Sequence, residues 1–221
     1  MKTQLYILSL FLISMGCIGT DVLELTPVPP RLKITSSVLS LKVGESHQFA
    51  ATYYDEYGET QAATVQWTSG NSSIIQIDPQ GLAKALQAGK VYITAQAANL
   101  KDSVMVEAGE ETIGSPTQRT GTLQGSNNYS VEGTFTLTDN GGSLTLRLEG
   151  NFKASNGPGL HVYMAHSSQS VAGGLDLGAL KQVEGTQAYT LPSNVSINTY
   201  DYVIIYCKPF GVVFGNGMFS N

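Results

Sequence analysis

Short runs in which apolar and polar residues alternate recur along most of this chain. Within residues 31–108, runs such as Leu39–Val43 have the two-residue period of a strand with one buried face, and turn residues separate them. About seven such runs at regular spacing predict an antiparallel β-sandwich for this stretch. We assign Trp67, the single tryptophan, to its core.

The alternation stops over residues 109–118, which are rich in Gly, Glu, Ser and Pro and indicate an interdomain linker. It resumes in residues 119–221. There the Asp139–Gly142 tetrapeptide predicts a hairpin, and the runs at His161–Ala165 and Tyr200–Cys207 predict further strands. The whole pattern predicts an all-β protein with two antiparallel β-sandwich-type domains in tandem.

Composition supports folded domains and narrows the class of partner. The 221 residues are 42% hydrophobic and only 13% charged, which argues against a disordered or charge-rich helical protein. The formal net charge is −5, and neither half gathers Lys and Arg into a patch that could neutralise phosphates. We therefore expect no nucleic-acid partner.

The start of the chain has the layout of an export signal. Lys2 precedes an apolar run, Leu5–Ile13, that is too short to span a bilayer, and small residues lead into Cys17. This arrangement resembles the lipobox of bacterial lipoproteins. The resemblance implies that residues 1–16 are a signal peptide that is removed and that Cys17 is acylated, so that the protein is lipid-anchored in the bacterial cell envelope. Simple secretion is the alternative.

Residues 17–30 form the predicted tether between the lipid and the first domain. They contain three prolines, which stiffen an extended segment and forbid a central strand. Ile18 after the cysteine resembles the signal for sorting to the outer membrane, where the protein would face the periplasm or the cell surface. The membrane is then one partner, and we expect an unidentified envelope protein or glycan as another.

Four motifs in the first domain point to a known family: Leu41–Glu45, Gln66–Ser69, Gly81–Ala83 and Ala88–Ala95. Through them, the first domain resembles the group-two bacterial immunoglobulin-like domain of intimin-type and other envelope proteins. The resemblance implies a stalk or adhesive module, and it carries over no catalytic residues.

One stretch of this domain, Tyr53–Glu59, groups three carboxylates with three tyrosines. Carboxylate oxygens suit calcium, and tyrosines suit contacts with sugars or peptides. The alternative is a solvated hairpin tip that Gly58 turns, with tyrosines that pack as strand-forming residues. We favour the hairpin tip.

The second domain carries a longer set of motifs: Asn151–Phe152, Gly157–Tyr163, Leu177–Lys181, Gly185–Pro192 and Val203–Gly215. Through them it resembles the DM13 (DM-thirteen) domain, an extracytoplasmic module described as an electron-transfer domain. The family's characteristic cysteine is suggested to act as a redox thiol or to hold a prosthetic group, and it matches Cys207. Tyr206 stands where an indole is common in the family.

Cys207 is the candidate redox thiol. If Cys17 carries lipid, Cys207 is an unpaired thiol in a compartment where thiols tend to be oxidised. Strand alternation places Val203, Ile205 and Cys207 on one face, with Lys208 pointing to the other, so nothing in the sequence establishes a lowered thiolate pKa. The alternative is that Cys207 is a small buried apolar residue without chemistry.

A copper or haem site is the alternative interpretation of the redox chemistry of this domain. His161, His166 and Met164 supply suitable donor types beside Cys207. The two histidines are five residues apart, however, and so lie on opposite faces of a continuous strand. The chain also has no Cys-x-x-Cys-His motif for covalent haem. We therefore predict no metal ligands, and haem or copper stays only as an alternative.

Enzymatic signatures are missing from the sequence. It contains no nucleophile elbow, paired-carboxylate motif, P-loop or dinucleotide fingerprint. This favours a redox accessory or binding protein over a hydrolase or transferase. Two hypotheses stay open: an electron-transfer protein centred on Cys207, and a cell-surface adhesion or ligand-binding protein in which Cys207 only packs.

Overall fold

The computed structural model describes residues 27–36 and 38–220. Over these residues the protein is all-β, and its only helical segment is a 3-10 turn at Lys208–Phe210. No helix in this described part of the chain has the length and apolar character needed to cross a membrane. The predicted signal peptide, residues 1–16, and Cys17 lie outside the described residues.

The first domain packs three small sheets around one core. Its strands are β1 (Arg31–Ser36), β2 (Ser40–Lys42), β3 (Ser46–Gln48), β4 (Ala50–Tyr54), β5 (Thr60–Gln61), β6 (Gln66–Ser69), β7 (Ile75–Ile77), β8 (Leu82–Ala85), β9 (Gly89–Ala97) and β10 (Leu100–Gly109). The strand orders are β1-β4-β5, β2-β10-β9-β6 and β3-β8-β7. Phe49, Ile75 and Ile93 are buried between the sheets, and Trp67 packs at the edge of the core with its ring 5.9 Å from that of Phe49.

One strand pair of this domain departs from the predicted antiparallel arrangement. β2 pairs in parallel with β10, so that Leu41 lies opposite Ala108, and both side chains are in the core. A parallel pair needs a long connection between its strands. The rest of the domain supplies that connection, because β2 lies near its start and β10 ends it.

The second domain is a single antiparallel sheet that curls around its own core. Its strands are β11 (Gln118–Gly125), β12 (Val131–Asp139), β13 (Leu144–Leu148), β14 (Lys153–Ala154), β15 (Leu160–Ala165), β16 (Leu175–Ala179), β17 (Gln187–Thr190), β18 (Tyr202–Cys207) and β19 (Val212–Ser220). The order is β16-β15-β18-β19-β11-β12-β13-β17, and β14 pairs with β12. The Tyr189 hydroxyl donates to the Ala179 carbonyl at 3.3 Å, so the two edge strands meet. The predicted all-β class with two tandem domains is confirmed.

The two predicted connecting segments are held on the first domain. In the linker, the Ile113 amide donates to the Ser40 carbonyl at 2.9 Å, and the Ile113 carbonyl accepts the Leu39 amide at 2.9 Å. At the end of the tether, the Val28 amide donates to the Glu56 carbonyl at 2.8 Å. The composition of these segments predicts backbone groups that bond to water. In the structure they bond to the first domain instead.

The predicted solvated tip at Tyr53–Glu59 needs a correction. Gly58 turns the chain as expected, with φ of 76°, but it is buried against Gly173 of the second domain. A Cβ on Gly58 would lie 2.5 Å from the Cα of Gly173, so only glycine allows this approach. Tyr54 is buried as well. The tip therefore forms part of the contact between the two domains.

Candidate functional site

Cys207 lies at the end of β18 with its side chain in the core of the second domain. The alternation predicted from the sequence is confirmed, since Val203, Ile205 and Cys207 share that core while Tyr206 packs on the opposite face. Cys207 is 1% exposed, and its Sγ donates a hydrogen bond to the Pro158 carbonyl at 3.0 Å. It is a free cysteine. The sulfur is therefore shielded from solvent in the core of the domain.

Two short segments close over this sulfur. The loop that contains Pro158 and Gly159 precedes β15, and the turn Lys208–Phe210 follows β18. The Lys208 amide donates to the Gly159 carbonyl at 3.1 Å, which holds the segments together. Gly159 has φ of 57°, and a Cβ there would lie 2.8 Å from Cδ of Pro209. Glycine at 159 thus allows the loop to close over the thiol.

A polar cluster occupies the other face of the same strands, and we call it the Asp176 cluster. Asp176, in β16, accepts hydrogen bonds from His161 Nδ1 at 2.9 Å, from the Tyr163 hydroxyl at 3.0 Å and from Lys208 Nζ at 3.0 Å. The backbone amide of Gly178 donates to the same carboxylate at 2.8 Å. Four donors from three segments of the chain therefore converge on one carboxylate.

These contacts fix the charge state of the carboxylate. Partial burial on its own would raise the pKa of Asp176, but the hydrogen bonds from His161, Gly178, Lys208 and Tyr163 outweigh it and lower the pKa to about 2. Burial, together with the hydrogen bond to ionised Asp176, raises the pKa of Tyr163. At neutral pH, an ionised Asp176 therefore faces a protonated phenol, and Nδ1 of His161 must carry the hydrogen that it shares with the carboxylate.

Tyr206 connects the Asp176 cluster to Cys207. Its ring meets that of Tyr163 edge to face, with centroids 5.6 Å apart, and it precedes Cys207 in the chain. Burial raises the pKa of Tyr206, so the phenol stays protonated at neutral pH. Tyr206 thus shares the outer face with Tyr163 of the Asp176 cluster, and the next residue, Cys207, places its side chain in the core on the opposite face.

Family comparisons agree with this division of the chain. The family described as bacterial Ig-like domain (group 2) matches residues 30–108, and the family described as Electron transfer DM13 matches residues 122–218. The chain is a group 2 bacterial Ig-like domain followed by a DM13 domain. Both the families and their order are those that the sequence motifs predicted.

Comparison with solved structures finds distant similarities. No curated protein matches the chain. Among solved structures, domains 4–9 of the surface layer protein SbsC align at 15% identity over 87% of this chain and 31% of that chain, with a TM-score of 0.34. This chain therefore spans about a third of that structure. The titin I-band fragment I67–I69 aligns at 10% identity over 80% of this chain and 93% of that chain, with a TM-score of 0.23.

The DM13 domain does not bring the predicted donor types together around Cys207. Met164 faces the same core as the cysteine, but His161 is bonded to Asp176 on the opposite face. His166 lies outside both groups, between Tyr54 and Tyr200, with ring centroids 4.7 and 4.6 Å away. This separated donor set does not fit a copper or haem site at Cys207, and we derive no chemistry through one.

The surroundings of His166 form a second polar region, at the contact with the Ig-like domain. Burial, and then the positive charges of Arg31 and Lys33, lower the pKa of His166 to about 3. Within the described residues its Nδ1 has no hydrogen-bond partner. A cleft of about 530 Å³ opens beside Tyr54 and Tyr200. The neutral imidazole is thus packed between two aromatic rings that come from different domains.

Sequence reasoning missed the Asp176 cluster. One signal was available, because His161 and Tyr163 are polar residues two apart in a strand whose other positions are apolar. Their partner Asp176 was not predictable, because the pairing of β15 with β16 shifts register between His161 and Tyr163. That irregularity lets both side chains reach one carboxylate.

Proposed function

We propose that this protein is a lipid-anchored envelope protein whose Ig-like domain holds a DM13 domain that transfers electrons, with Cys207 as the redox group. Acylated Cys17 would fix the chain to the membrane, and the tether would end at Val28, which is bonded to the Ig-like domain. The observation that carries the proposal is the free thiol of Cys207, which lies within the DM13 match and is one residue from Tyr206 on the outer face. The sequence resemblance gives this position to the family's cysteine.

The burial of the sulfur restricts how electrons could reach it. Thiol–disulfide exchange needs the attacking sulfur in contact with the partner's disulfide. The closed loop at Pro158 and Gly159 prevents that contact. Electrons would therefore pass through the protein, for which Tyr206 is the adjacent aromatic, or the loop would open first. While the loop is closed, the surroundings of the thiol protect it from adventitious oxidation.

Protein purified from its native host provides the test of the redox role. We would record the visible spectrum and the bound metals, and measure electron exchange with envelope redox proteins for the wild type and for Cys207→Ser. The proposal expects exchange that the substitution abolishes. Unchanged exchange in Cys207→Ser, in a colourless and metal-free protein whose thiol reacts only after unfolding, would overturn it.

The lipid anchor needs its own experiment. Incorporation of labelled fatty acid and sedimentation with membranes are expected for the wild type, and both should be lost in Cys17→Ser. Cys207→Ser is the matched control, because it removes the other cysteine and leaves the lipobox intact. Labelling that survives Cys17→Ser would show that the resemblance to a lipobox is misleading.

In a second candidate function, both domains bind an envelope protein or a glycan and Cys207 has only a structural role, which is the role that its burial favours. A residue that is 1% exposed and bonded to a carbonyl is what a purely structural cysteine looks like. Binding to purified glycans and envelope proteins, measured for the wild type and Cys207→Ser, is the test. This function expects equal binding by both proteins, and it fails if neither binds while the thiol supports electron exchange.

A further inference from the structure

We infer that Tyr163 is a redox-active tyrosine of the DM13 domain and that Asp176 accepts its phenolic proton when the ring is oxidised. The inference rests on the proposed electron-transfer function and names a second redox group within it. The geometry that points to it is the 3.0 Å hydrogen bond from the Tyr163 hydroxyl to Oδ2 of Asp176. Tyr163 is buried, and its hydroxyl donates to a carboxylate of the same domain.

The chemistry of phenol oxidation gives this hydrogen bond its importance. Removing one electron from a tyrosine turns its hydroxyl into a strong acid, so the electron leaves most easily when a base takes the proton in the same step. A proton acceptor has to lie within hydrogen-bond reach, about 2.6–3.2 Å between heavy atoms. Oδ2 of Asp176 lies within that range of the Tyr163 hydroxyl and is ionised at neutral pH.

The proposed step balances in atoms and charge. A strongly oxidising one-electron acceptor, such as the oxyferryl haem of an envelope peroxidase, takes one electron from Tyr163. The O–H bond of the phenol breaks, and the proton forms an O–H bond on Asp176. The products are a neutral tyrosyl radical, a protonated carboxyl group and the reduced acceptor. When an electron returns to the ring, the proton moves back to the phenolate oxygen.

The rest of the Asp176 cluster holds the acceptor in place. Lys208 Nζ shares Oδ2 with the tyrosine, and His161 Nδ1 and the Gly178 amide bind Oδ1. The carboxylate therefore cannot rotate away from the phenol without breaking several hydrogen bonds. Tyr206, whose ring lies 5.6 Å from that of Tyr163, provides the next aromatic group toward Cys207.

The alternative is that the hydrogen bond only fastens β15 to β16. Both roles predict some loss of stability when the bond is removed, so stability cannot separate them. The rate of oxidation and its pH dependence can. A tyrosine with a built-in carboxylate acceptor is oxidised at a rate that is independent of pH while the carboxylate is ionised. An exposed tyrosine must release its proton to water or buffer, and its oxidation becomes faster as pH rises.

The experiment is flash oxidation of the full chain in detergent with a photogenerated ruthenium(III) tris-bipyridine, followed by transient absorption and electron paramagnetic resonance between pH 5 and 8. We compare the wild type with Tyr163→Phe, Asp176→Asn and the control Tyr92→Phe, which removes a tyrosine that is 60% exposed on the Ig-like domain. The wild type and Tyr92→Phe are expected to show a long-lived tyrosyl radical that forms at a pH-independent rate. Tyr163→Phe should lose it.

Asp176→Asn should slow formation of this radical by about 100-fold, the lower end of what a positioned proton acceptor contributes, and should make its rate depend on pH. If Tyr163→Phe folds poorly, the pH profile of the wild type still decides, because a rate that climbs with pH contradicts the built-in acceptor. A long-lived radical that persists in Tyr163→Phe overturns the assignment. That result would leave the electron-transfer function standing, since the comparison with Cys207→Ser tests it separately.

Discussion

Lys33 and Asp201 join the two domains, with Nζ of the lysine 2.7 Å from Oδ1 of the aspartate. Arg31, two residues earlier in β1, also faces this carboxylate, with its Nη1 at 3.7 Å from Oδ2. Asp201 directly precedes β18, the strand that ends at Cys207. The first strand of the Ig-like domain therefore holds the start of the strand that carries the candidate redox residue.

Asp201→Asn should uncouple the domains. The substitution leaves Lys33 and Arg31 partly buried without their countercharge, and unpaired buried charges are costly. Because the three side chains are about one-fifth exposed, we expect a loss of about 1–2 kcal/mol rather than the larger cost of a fully buried pair. Urea unfolding, followed with one probe in each domain, should change from a shared transition to two separate ones.

The matched control is Glu107→Gln, which breaks the pair between Lys90 and Glu107 within the Ig-like domain. Both of those side chains are more than half exposed, and exposed pairs contribute about 0–1 kcal/mol. Glu107→Gln should leave the urea midpoints of unfolding unchanged in both domains. Equal effects of Asp201→Asn and Glu107→Gln would mean that the ion pair between the domains does not couple them.

Gly58→Ala should weaken the same contact through shape rather than charge. The added Cβ would lie 2.5 Å from the Cα of Gly173, and it would also occupy a left-handed backbone conformation. Overpacking costs about 1–3 kcal/mol beyond the backbone strain. Gly44→Ala is the control, because Gly44 also has positive φ but has no atom within 4 Å of its Cβ position.

Thermal denaturation of the two glycine variants gives the comparison. We expect the melting temperature of Gly58→Ala to fall below that of Gly44→Ala. We also expect the DM13 domain and the Ig-like domain to melt in separate transitions in Gly58→Ala. If the two variants melt together, the close approach of Gly58 to Gly173 contributes nothing to stability.

Local patterns predicted much of the fold but little of the contact between the domains. The alternation in β18 identified the face that carries Cys207, because a half-buried strand has a fixed period. The role of Gly58 as a turn residue was also visible, since few other residues adopt its backbone conformation. The sequence does not show that Gly58 is buried against Gly173. That contact depends on how the surfaces of two domains meet, and no local periodicity encodes it.

Stability should fall as the pH is lowered through the range in which histidine ordinarily titrates. The folded protein holds the pKa of His166 at about 3, below its ordinary value of 6.5, because the ring is buried and faces Arg31 and Lys33. Between pH 6.5 and pH 3, His166 is therefore protonated in the unfolded chain and neutral in the folded protein. The stabilisation is complete above pH 6.5 and declines as the pH falls from 6.5 towards 3.

The measurement is the free energy of unfolding at pH 7 and pH 5. One pKa unit corresponds to about 1.4 kcal/mol, so a loss of up to about 2 kcal/mol is expected at pH 5. His166→Phe keeps a ring between Tyr54 and Tyr200 but cannot be protonated, and it should remove most of this dependence. His47, whose pKa burial also lowers, keeps the remainder. The pKa of Asp176 is below 4 in both the folded and the unfolded protein, so this residue contributes little to the difference between pH 7 and pH 5. An equal slope in His166→Phe would assign the pH dependence to other groups.

The candidate site shows the same division between what a sequence can and cannot reveal. Cys207 was identified by its place in a motif, and Lys208 was correctly assigned to the opposite face. Neither observation reveals that Lys208 bonds to Asp176, 32 residues earlier. The carboxylate reaches its partners through a register shift in a strand pair, which depends on the tertiary packing of β16.

The loop over Cys207 provides the last prediction, because it separates local opening from global unfolding. In a chain carrying Cys17→Ser, Cys207 is the single cysteine, and alkylation by iodoacetamide reports how often its sulfur becomes accessible. Gly159→Ala places a Cβ 2.8 Å from Pro209 at positive φ, which strains the closed loop. A left-handed alanine alone costs roughly 1–2 kcal/mol.

We therefore expect alkylation of Gly159→Ala to be about 10-fold faster or more, since 1.4 kcal/mol corresponds to a factor of ten. Gly141→Ala is the control, because it carries a similar positive φ in the same domain with open space around its Cβ position. If opening is local, low concentrations of urea should barely change the rate, whereas exposure by global unfolding would make the rate rise steeply with urea. Equal rates in the two glycine variants would show that the Pro158–Gly159 loop does not control access to the thiol. If the rate also rises steeply with urea, Cys207 is reached only when the whole domain unfolds, and a role for it in direct exchange with a partner disulfide would be untenable.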